Sequence, residues 1–402
     1  TKEAHVLKSL PPDAEVMIAA SSDAVSESSS RADLEAKLAH VEGLLKEERC
    51  RRQRSLARLS KNSRSFWVPR SVTRKPARDV TPLEFVRDFV AASQPLVLTG
   101  LSKQDWPCLK LWRDDAYLLH TVGDAEVSVN ATPNGRGDSV DSSGRFVKPC
   151  EERMPFRDFW DWLLQGDAAK RPGVPYLSRQ NDSLRDELPA LVKDIPDAVP
   201  LGVSAFGNEP EAVNLWVGDE RAVSSCHKDH YENLYTVVRG EKIFTLLPPT
   251  AVPFLHERRC PPATFERQDA TPEGLLETML DSPPEAESMR DAWAQLGGGK
   301  AVPWVPFDVS EQKDFSQFPD FVEFGSRLAV EVRVKPGEML YLPAMWYHRV
   351  AQKGLTVAVN YWHDMPFGHA YVNHRFLRDI TGLDDDSDDS DSDGEDGSVA
   401  ET

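Results

Sequence analysis

Apolar and polar positions alternate along the second half of the chain, and this pattern predicts β-strands. Five stretches rich in β-branched and aromatic residues lie between residues 212 and 362: "AVNLWVG", "LYTVVRG", "EKIFTLLPP", "LAVEVRVKPGEMLYLPA" and "TVAVNYW". A period of two places one face of each strand in a core. Strands at such short intervals are typical of an antiparallel barrel or sandwich. The proline-rich residues 251–326 interrupt the series and predict a long, mostly non-strand excursion.

Helical periodicity dominates one segment near the start. In residues 31–65 the apolar positions recur at steps of three and four, which predicts an amphipathic helical arm formed around Leu34, Leu38, Val41 and Leu45. Its second half, residues 46–64, holds eight Lys/Arg against two Glu. A solvated arm and a contact with a partner or nucleic acid both remain open. Shorter helices are predicted from Thr81, after Pro155 and in "AYVNHRFLRDITG".

The composition shifts along the chain predict four regions. They are a disordered lead-in (1–30), the basic helical arm (31–65), a globular domain (66–380) that contains the 251–326 excursion as an insert, and an acidic disordered tail (381–402).

Net charge and cysteine usage limit the function classes. The net charge is −18, which argues against a nucleic-acid binder as the main role, although ten of the acids lie in residues 384–402. The five cysteines are odd in number and scattered, which suits a reducing compartment and predicts a cytoplasmic or nuclear location. No apolar run approaches the roughly 18–20 residues of a membrane span, so no membrane partner is expected. A homodimer is left open.

Candidate metal chemistry begins with the stretch "CHKDHYENLY" at residues 226–235. Alternate residues of a strand point to the same face, so His227 and Asp229 would direct an imidazole and a carboxylate to one point while Lys228 faces away. Such a pair suits Fe(II), Mn(II) or Zn(II). By itself the His-x-Asp pattern is weak, because surface polar residues often produce it.

A second motif supplies the missing ligand. In "KPGEMLYLPAMWYHRV", five residues separate Gly337 from Pro343 and four separate Pro343 from His348, as in the second half of a cupin-type metal signature. Together, His227, Asp229 and His348 would form a two-histidine, one-carboxylate triad. Such a triad covers one face of an octahedral iron and leaves three positions for a bidentate co-substrate and O2.

A 2-oxoglutarate co-substrate also needs a cation for its distal carboxylate. Lys242 is the candidate, because it follows the turn at Gly240 on a strand whose alternation places it on one face with Phe244 and Leu246. Tyr176 and Ser224 are candidate hydroxyl donors to the same carboxylate.

Residues from about 81 to 380 resemble the jumonji-C (JmjC) oxygenases, and within them the type of JmjC domain-containing protein seven. The matching stretches include "PLEFVRDFV", "VGDAEVSVNATPNG", "EAVNLWVGD", "HKDHYENLYTVVRGEKIFTLLPP", "GEMLYLPAMWYHRV" and "VAVNYWHDM". The resemblance implies a mainly β fold: a double-stranded β-helix (cupin or jelly-roll) core with surrounding helices. The N-terminal helical arm and the acidic tail lie outside the resemblance.

The resemblance assigns roles residue by residue. It implies that His227, Asp229 and His348 bind the catalytic Fe(II). It also implies that 2-oxoglutarate contacts five residues, with Lys242, Tyr176 and Ser224 at the distal carboxylate and Asn233 and Asn360 near the iron-proximal carboxylate. Ser224 stands where a threonine is commoner, which keeps the hydroxyl, and the stretch at 267–300 looks longer than the family needs.

By resemblance, the expected activity is Fe(II)- and 2-oxoglutarate-dependent hydroxylation of a protein, with O2 as oxidant. The family members that this chain resembles most look like (3S)-lysyl hydroxylases of translation-associated GTPases. A protein with a target lysine is therefore the expected partner. Two alternatives remain open: a histone lysine demethylase, which uses the same triad, and a divalent-cation-dependent histone-tail peptidase, which has no use for Lys242.

Overall fold

The computed structural model describes residues 31–166, 171–268, 274–280, 301–311 and 314–382. The chain divides into two compact units between Arg58 and Leu59. Helix α1, Arg31–Asn62, supplies the described part of the first unit and runs on into the second. Of its predicted apolar positions, Leu38 is 60% exposed, and Val41 and Leu45 are half-buried. The predicted lead-in at 1–30 and all but the first two residues of the predicted acidic tail at 381–402 lie outside the described residues.

Within the residues that the structure describes, seven further α-helices follow, most of them short. They are α2 Pro82–Glu84, α3 Cys108–Leu111, α4 Asp115–Val122, α5 Phe156–Gln165, α6 Ser183–Glu187, α7 Pro200–Phe206 and α8 His369–Asp379. Single turns of π-helix lie at Ser63–Trp67, Phe85–Val90 and Phe321–Gly325, and turns of 3-10 helix lie at Ala77–Asp79, Pro189–Asp194, Pro249–Phe254 and Ser326–Leu328. The helix predicted from Thr81 is thus a short α-helix that continues as π-helix.

Eighteen strands lie in the described part of the chain. They are β1 Thr73–Pro76, β2 Leu96–Thr99, β3 Glu126–Thr132, β4 Arg136–Gly137, β5 Ser139–Val140, β6 Phe146–Lys148, β7 Cys150–Pro155, β8 Val174–Tyr176, β9 Ala212–Gly218, β10 Val223–His227, β11 Tyr231–Leu247, β12 Arg258–Cys260, β13 Pro262–Arg267, β14 Leu276–Leu280, β15 Val302–Trp304, β16 Val330–Val334, β17 Glu338–Leu342 and β18 Tyr347–Asp364.

Two long strands, β11 and β18, organise the largest sheet. They run antiparallel from the pair Tyr231↔Asp364 to the pair Leu247↔Tyr347. The first half of β11 also pairs with β17 and its second half with β16, while β18 pairs with β10 in its first half and with β9 in its second. Each long strand therefore crosses from one wall of the barrel to the other, and the two walls form a double-stranded β-helix. The predicted fold class is confirmed.

The crossing occurs where the β11–β18 register shifts, between Val237 and Glu241. Gly240 lies inside this irregularity with φ +71°, a conformation that L side chains rarely adopt. A Cβ there would approach Thr356 Oγ1 to 2.4 Å and Leu355 O to 2.6 Å. The sequence predicted two strands separated by a turn at Gly240. The structure instead has one continuous strand that bends there, because β18 keeps pairing on both sides of the glycine.

Smaller sheets and helices cover the barrel. One sheet has the order β7-β3-β8, another β14-β13-β6-β5, and β12 pairs with β15. Helix α5 shows why a helix forms here: Phe156, Phe159, Trp160 and Leu163 fall at helical spacing and are buried, and the helix ends at Gly166 with φ +54°. The 251–326 insert, predicted as mostly non-strand, contains the four short strands β12–β15.

The fold does not test several of the predictions made from the sequence. The boundaries of the four regions, a homodimer, a nucleic-acid contact through the helical arm and a cytoplasmic or nuclear location stay predictions. Among the helices in the described residues, none is both long enough and apolar enough to cross a membrane.

We expect the bend at Gly240 to require glycine more strongly than an exposed glycine of β18 does. Gly354 has φ +68° but open space around its Cβ position. Gly354→Ala should lower the free energy of unfolding by roughly 1–2 kcal/mol, the cost of a left-handed alanine. Gly240→Ala should cost roughly 1–3 kcal/mol more, because the new methyl group overlaps β18. Urea unfolding of the two variants measures the difference, and equal losses would show that the bend does not depend on close backbone approach.

Candidate metal and co-substrate site

The three predicted metal ligands meet at one end of the barrel. His227 ends β10 and lies directly opposite His348 of β18 in the strand pairing. Asp229 follows in the turn toward β11, where its carbonyl accepts a hydrogen bond from the Met345 N–H (2.9 Å). Nε2 of His227 lies 3.8 Å from Asp229 Oδ1, and Nε2 of His348 lies 3.5 Å from Asp229 Oδ2. One ligand atom from each residue lies within 4.8 Å of the others, as a shared ion requires.

Backbone carbonyls orient both imidazoles. His227 Nδ1 lies 2.7 Å from the Ser225 carbonyl oxygen, and His348 Nδ1 lies 3.0 Å from the Trp346 carbonyl oxygen. A carbonyl only accepts hydrogen bonds, so each Nδ1 carries the proton and donates it. Each Nε2 therefore keeps its lone pair and points into the cluster, which is the arrangement found around metal-binding histidines.

Burial keeps one of these imidazoles neutral. His348 is 4% exposed, and burial, with a smaller contribution from nearby His227, lowers its pKa to about 4. A neutral imidazole binds a metal without first losing a proton. Two imidazoles and a carboxylate form a donor set that fits Fe(II) or a similar divalent ion.

Lys242 of β11 is buried beside this cluster with only neutral partners. It is 1% exposed, and its ammonium donates hydrogen bonds to Tyr176 Oη (2.9 Å) and Gln352 Oε1 (2.5 Å). No carboxylate among the described residues forms an ion pair with it, and burial lowers its pKa to about 7. A buried cation without an anion is costly, and the carboxylate of a bound ligand would relieve that cost.

The predicted hydroxyl groups lie in the cleft that contains His227. Tyr176, whose pKa burial raises, and Ser224 both line it. Gly218 permits this packing: a Cβ there would lie 2.6 Å from Tyr176 Cδ2 and 2.8 Å from Gln352 Nε2. Lys242 is thus joined by a hydrogen bond to Tyr176, which lines the wall of the cleft together with Ser224.

The two predicted amides are also brought together. Asn360 Nδ2 donates to Asn233 Oδ1 (3.2 Å), and Trp216 Nε1 donates to Asn360 Oδ1 (2.7 Å). A second, inner cleft is lined by Asn233, Asp229 and His348. Asn360 is not among its lining residues and lies behind Asn233. Their geometry suits one amide at the ligand and a second that fixes its orientation, and their roles stay predictions.

Other residues of the site escaped the sequence analysis. Gln352 could have been found from strand register, since it pairs directly with Lys242. Trp304 lies in the insert, yet its ring is nearly parallel to that of His227 (7°) at 5.7 Å. Asp138 lies in a short loop without hydrophobic periodicity and lines the outer cleft, of about 610 Å³, next to His227. Only tertiary contacts identify the last two.

A buried ionic network supports the metal-ligand turn from behind. Lys228, between the two predicted ligands, faces away from the cluster and lies 3.7 Å from Glu257 Oε1. Arg378 of α8 and the Tyr347 hydroxyl donate to the same carboxylate (2.5 and 2.7 Å). Burial would raise the pKa of Glu257, but Lys228 and Arg378 more than offset it and lower the pKa to about 2. The carboxylate therefore stays ionised between two cations.

Comparisons with known proteins agree with this geometry. A cupin-like domain family matches residues 82–369. The bifunctional peptidase and (3S)-lysyl hydroxylase JMJD7 of Homo sapiens is 39% identical over 307 residues, which cover 76% of this chain and 89% of the relative. JmjC domain-containing protein E of Dictyostelium discoideum is 34% identical over 81% of this chain and 93% of its own length. Lysine-specific demethylase JMJ32 of Arabidopsis thaliana is 39% identical over 75% and 84%.

The geometry of the cluster predicts that metal affinity depends strongly on Asp229. Asp229→Ala removes the only anionic ligand and should weaken Mn(II) binding by more than about 100-fold, since losing an outer-shell partner alone typically costs 10–100-fold. Calorimetric titration of the metal-free protein with Mn(II) measures this. Asp158→Ala, which removes an exposed carboxylate of α5, is the matched control and should bind like the wild type. Unaltered affinity in Asp229→Ala would refute the cluster as a metal site.

Burial of Lys242 predicts a pH-dependent stability. Its folded pKa of about 7 lies below the unfolded value of 10.5, so the unfolded chain binds more protons between these pH values. The wild type should therefore gain stability relative to Lys242→Met as the pH rises from 7 to 10, by up to roughly 4 kcal/mol. Urea unfolding of both proteins without metal or co-substrate, at several pH values, tests this. A constant difference would mean that the ammonium is not desolvated.

Proposed function

The chain belongs to the cupin-like JmjC family of oxygenases, and on that premise we propose that it hydroxylates a lysine side chain of a protein substrate, using Fe(II) and 2-oxoglutarate. The observation that carries the proposal is the pairing of two features that meet at Tyr176, a residue of the cleft wall. One is the His227–Asp229–His348 cluster, and the other is the buried ammonium of Lys242, which has no carboxylate partner among the described residues. A divalent metal and a dicarboxylate ligand together would satisfy both.

Each residue then has a separate task. His227, Asp229 and His348 would hold Fe(II) from one side and leave the cleft side open. Lys242, Tyr176 and Ser224 would bind the distal carboxylate of 2-oxoglutarate, while Asn233, held by Asn360, would contact its other end. When bound, iron and 2-oxoglutarate supply the oxidation, in which O2 is consumed, 2-oxoglutarate becomes succinate and CO2, and a C–H bond is hydroxylated. The aromatic walls of the cleft, among them Trp216 and Tyr235, would restrict water around the reacting groups.

The choice of lysine draws support from the relatives. Two of them at 39% identity carry the names of a (3S)-lysyl hydroxylase and of a lysine-specific demethylase, and both names specify lysine. We propose hydroxylation as the reaction, and a translation-associated GTPase is the first substrate to test. A demethylase would need the same metal-binding cluster and also Lys242. A peptidase would need a metal-bound water but not Lys242.

One experiment separates the three outcomes. Lysine-containing peptides from translation-associated GTPases and from histone tails, unmodified and methylated, are incubated with the protein, Fe(II) and O2, with or without 2-oxoglutarate. We expect mass spectrometry to find one added oxygen atom on an unmodified lysine, only when 2-oxoglutarate is present. Lys242→Ala should raise the KM for 2-oxoglutarate about ten- to a hundredfold, the value of a charge-assisted contact.

The other outcomes would contradict the proposal. Formaldehyde release from a methylated peptide, without a hydroxylated product, would identify a demethylase. Peptide cleavage that needs a divalent ion but not 2-oxoglutarate would identify a peptidase. Asp158→Ala serves as the matched control, and it should retain the wild-type KM for 2-oxoglutarate.

A further inference from the structure

An outer cleft of about 610 Å³ leads from solvent to His227. Its wall includes the aromatic rings of Tyr176, Trp216 and Trp304, and a single carboxylate, that of Asp138, is among the residues that line it. Aromatic faces and a carboxylate are the groups that recognise a long side chain ending in a cation. The cleft therefore has the composition expected of a site for a basic side chain.

None of the described residues forms an ion pair with the carboxylate of Asp138. The arginines near it in sequence are engaged with other acids: Arg136 binds Asp308 and Glu311, and Arg145 binds Asp141. Burial raises the pKa of Asp138, although the charges of His227 and Lys148 act in the opposite direction. A desolvated carboxylate at a cleft wall is incomplete without a cation, as Lys242 is incomplete without an anion.

One serine holds Asp138 in a fixed position relative to His227. β4 pairs with β10 in parallel, so that Gly137 lies beside Ser224, and Asp138 follows directly after β4. The Ser225 hydroxyl donates to the Asp138 carbonyl oxygen, and the Ser225 carbonyl accepts the hydrogen bond from His227 Nδ1 (2.7 Å). Asp138 adopts a left-handed φ of 47°, which aspartate tolerates better than most residues.

The same serine holds the aromatic wall. Trp304 Nε1 donates to Ser225 Oγ (2.8 Å), and the indole packs against Phe146 at 4.6 Å between ring centroids. Its ring is nearly parallel to the His227 imidazole. A flat indole face suits the aliphatic stem of a lysine, whose head group would then lie near a carboxylate.

We propose that Asp138 is the counter-ion that binds the ammonium group of the substrate lysine, with Trp304 packing against the aliphatic part of the same side chain. The proposal rests on the proposed function only in taking lysine as the target. It adds the residue that selects a cation over a neutral side chain of equal length.

A binding experiment that needs no catalysis tests this assignment. The probes are Nα-acetyl-lysine N-methylamide and Nα-acetyl-norleucine N-methylamide, which have the same four-carbon stem but differ in charge. Saturation-transfer difference NMR with the full chain measures both dissociation constants. The wild type should bind the lysine probe about tenfold more tightly, the value of one charge-assisted contact.

Two variants assign the preference to one carboxylate. Asp138→Asn removes the charge while keeping a side chain that tolerates the left-handed backbone, and it should bind both probes equally. Asp158→Asn removes an exposed carboxylate on α5, changes the net charge by the same amount and should keep the tenfold preference. Thermal melting of both variants checks that they are folded.

The outcomes separate this proposal from the proposed function. No preference in the wild type, or an equal preference in Asp138→Asn and wild type, overturns the role of Asp138. A preference that depends on Asp138, in a protein that adds no oxygen to any lysine peptide, supports the cation site and contradicts hydroxylation instead.

Discussion

The antiparallel pairing of β10 with β18 is the constraint on which the site depends. It places His227 opposite His348, although the two residues lie far apart in sequence. The register also fixes the neighbouring residues: Ser224 lies opposite Val350 on the same pair of strands, and Gln352 lies opposite Lys242 one strand away. A slip of one residue would turn each of these side chains to the other face of the sheet. Metal and co-substrate binding would be lost together.

Two charges near the cleft form no ion pair with the described residues. Lys242 is buried behind the cleft wall among neutral hydrogen-bond partners, and Asp138 lines the outer cleft with Trp304. Either charge alone lowers the stability of the empty protein. Their signs are complementary to a dicarboxylate near Lys242 and to a basic side chain near Asp138. Unpaired charges that lower stability are common at sites where a bound ligand supplies the opposite charge.

Behind the metal-ligand turn, the charges are satisfied internally. Glu257 binds Lys228 from the turn and Arg378 from helix α8, and it also accepts a hydrogen bond from Tyr347, next to His348. The Met345 N–H fixes the Asp229 carbonyl from the same region. The two sides of the turn therefore differ. Behind it, a closed ionic network fixes the backbone; on its other side, the candidate metal ligands face the cleft.

The sequence alone predicted the β-rich core, the grouping of His227, Asp229 and His348, and Lys242 as a candidate beside them, because strand periodicity and short motif spacings are local properties of the chain. Its prediction of a turn at Gly240 was wrong, since local signals cannot show that β18 pairs on both sides of a bend. Asp138, Trp304 and Glu257 also escaped prediction. These residues lie in short loops or in the insert, and they reach the site through hydrogen bonds and ion pairs to residues distant in sequence. Only the tertiary structure could decide their positions, because such contacts leave no periodic pattern in the chain.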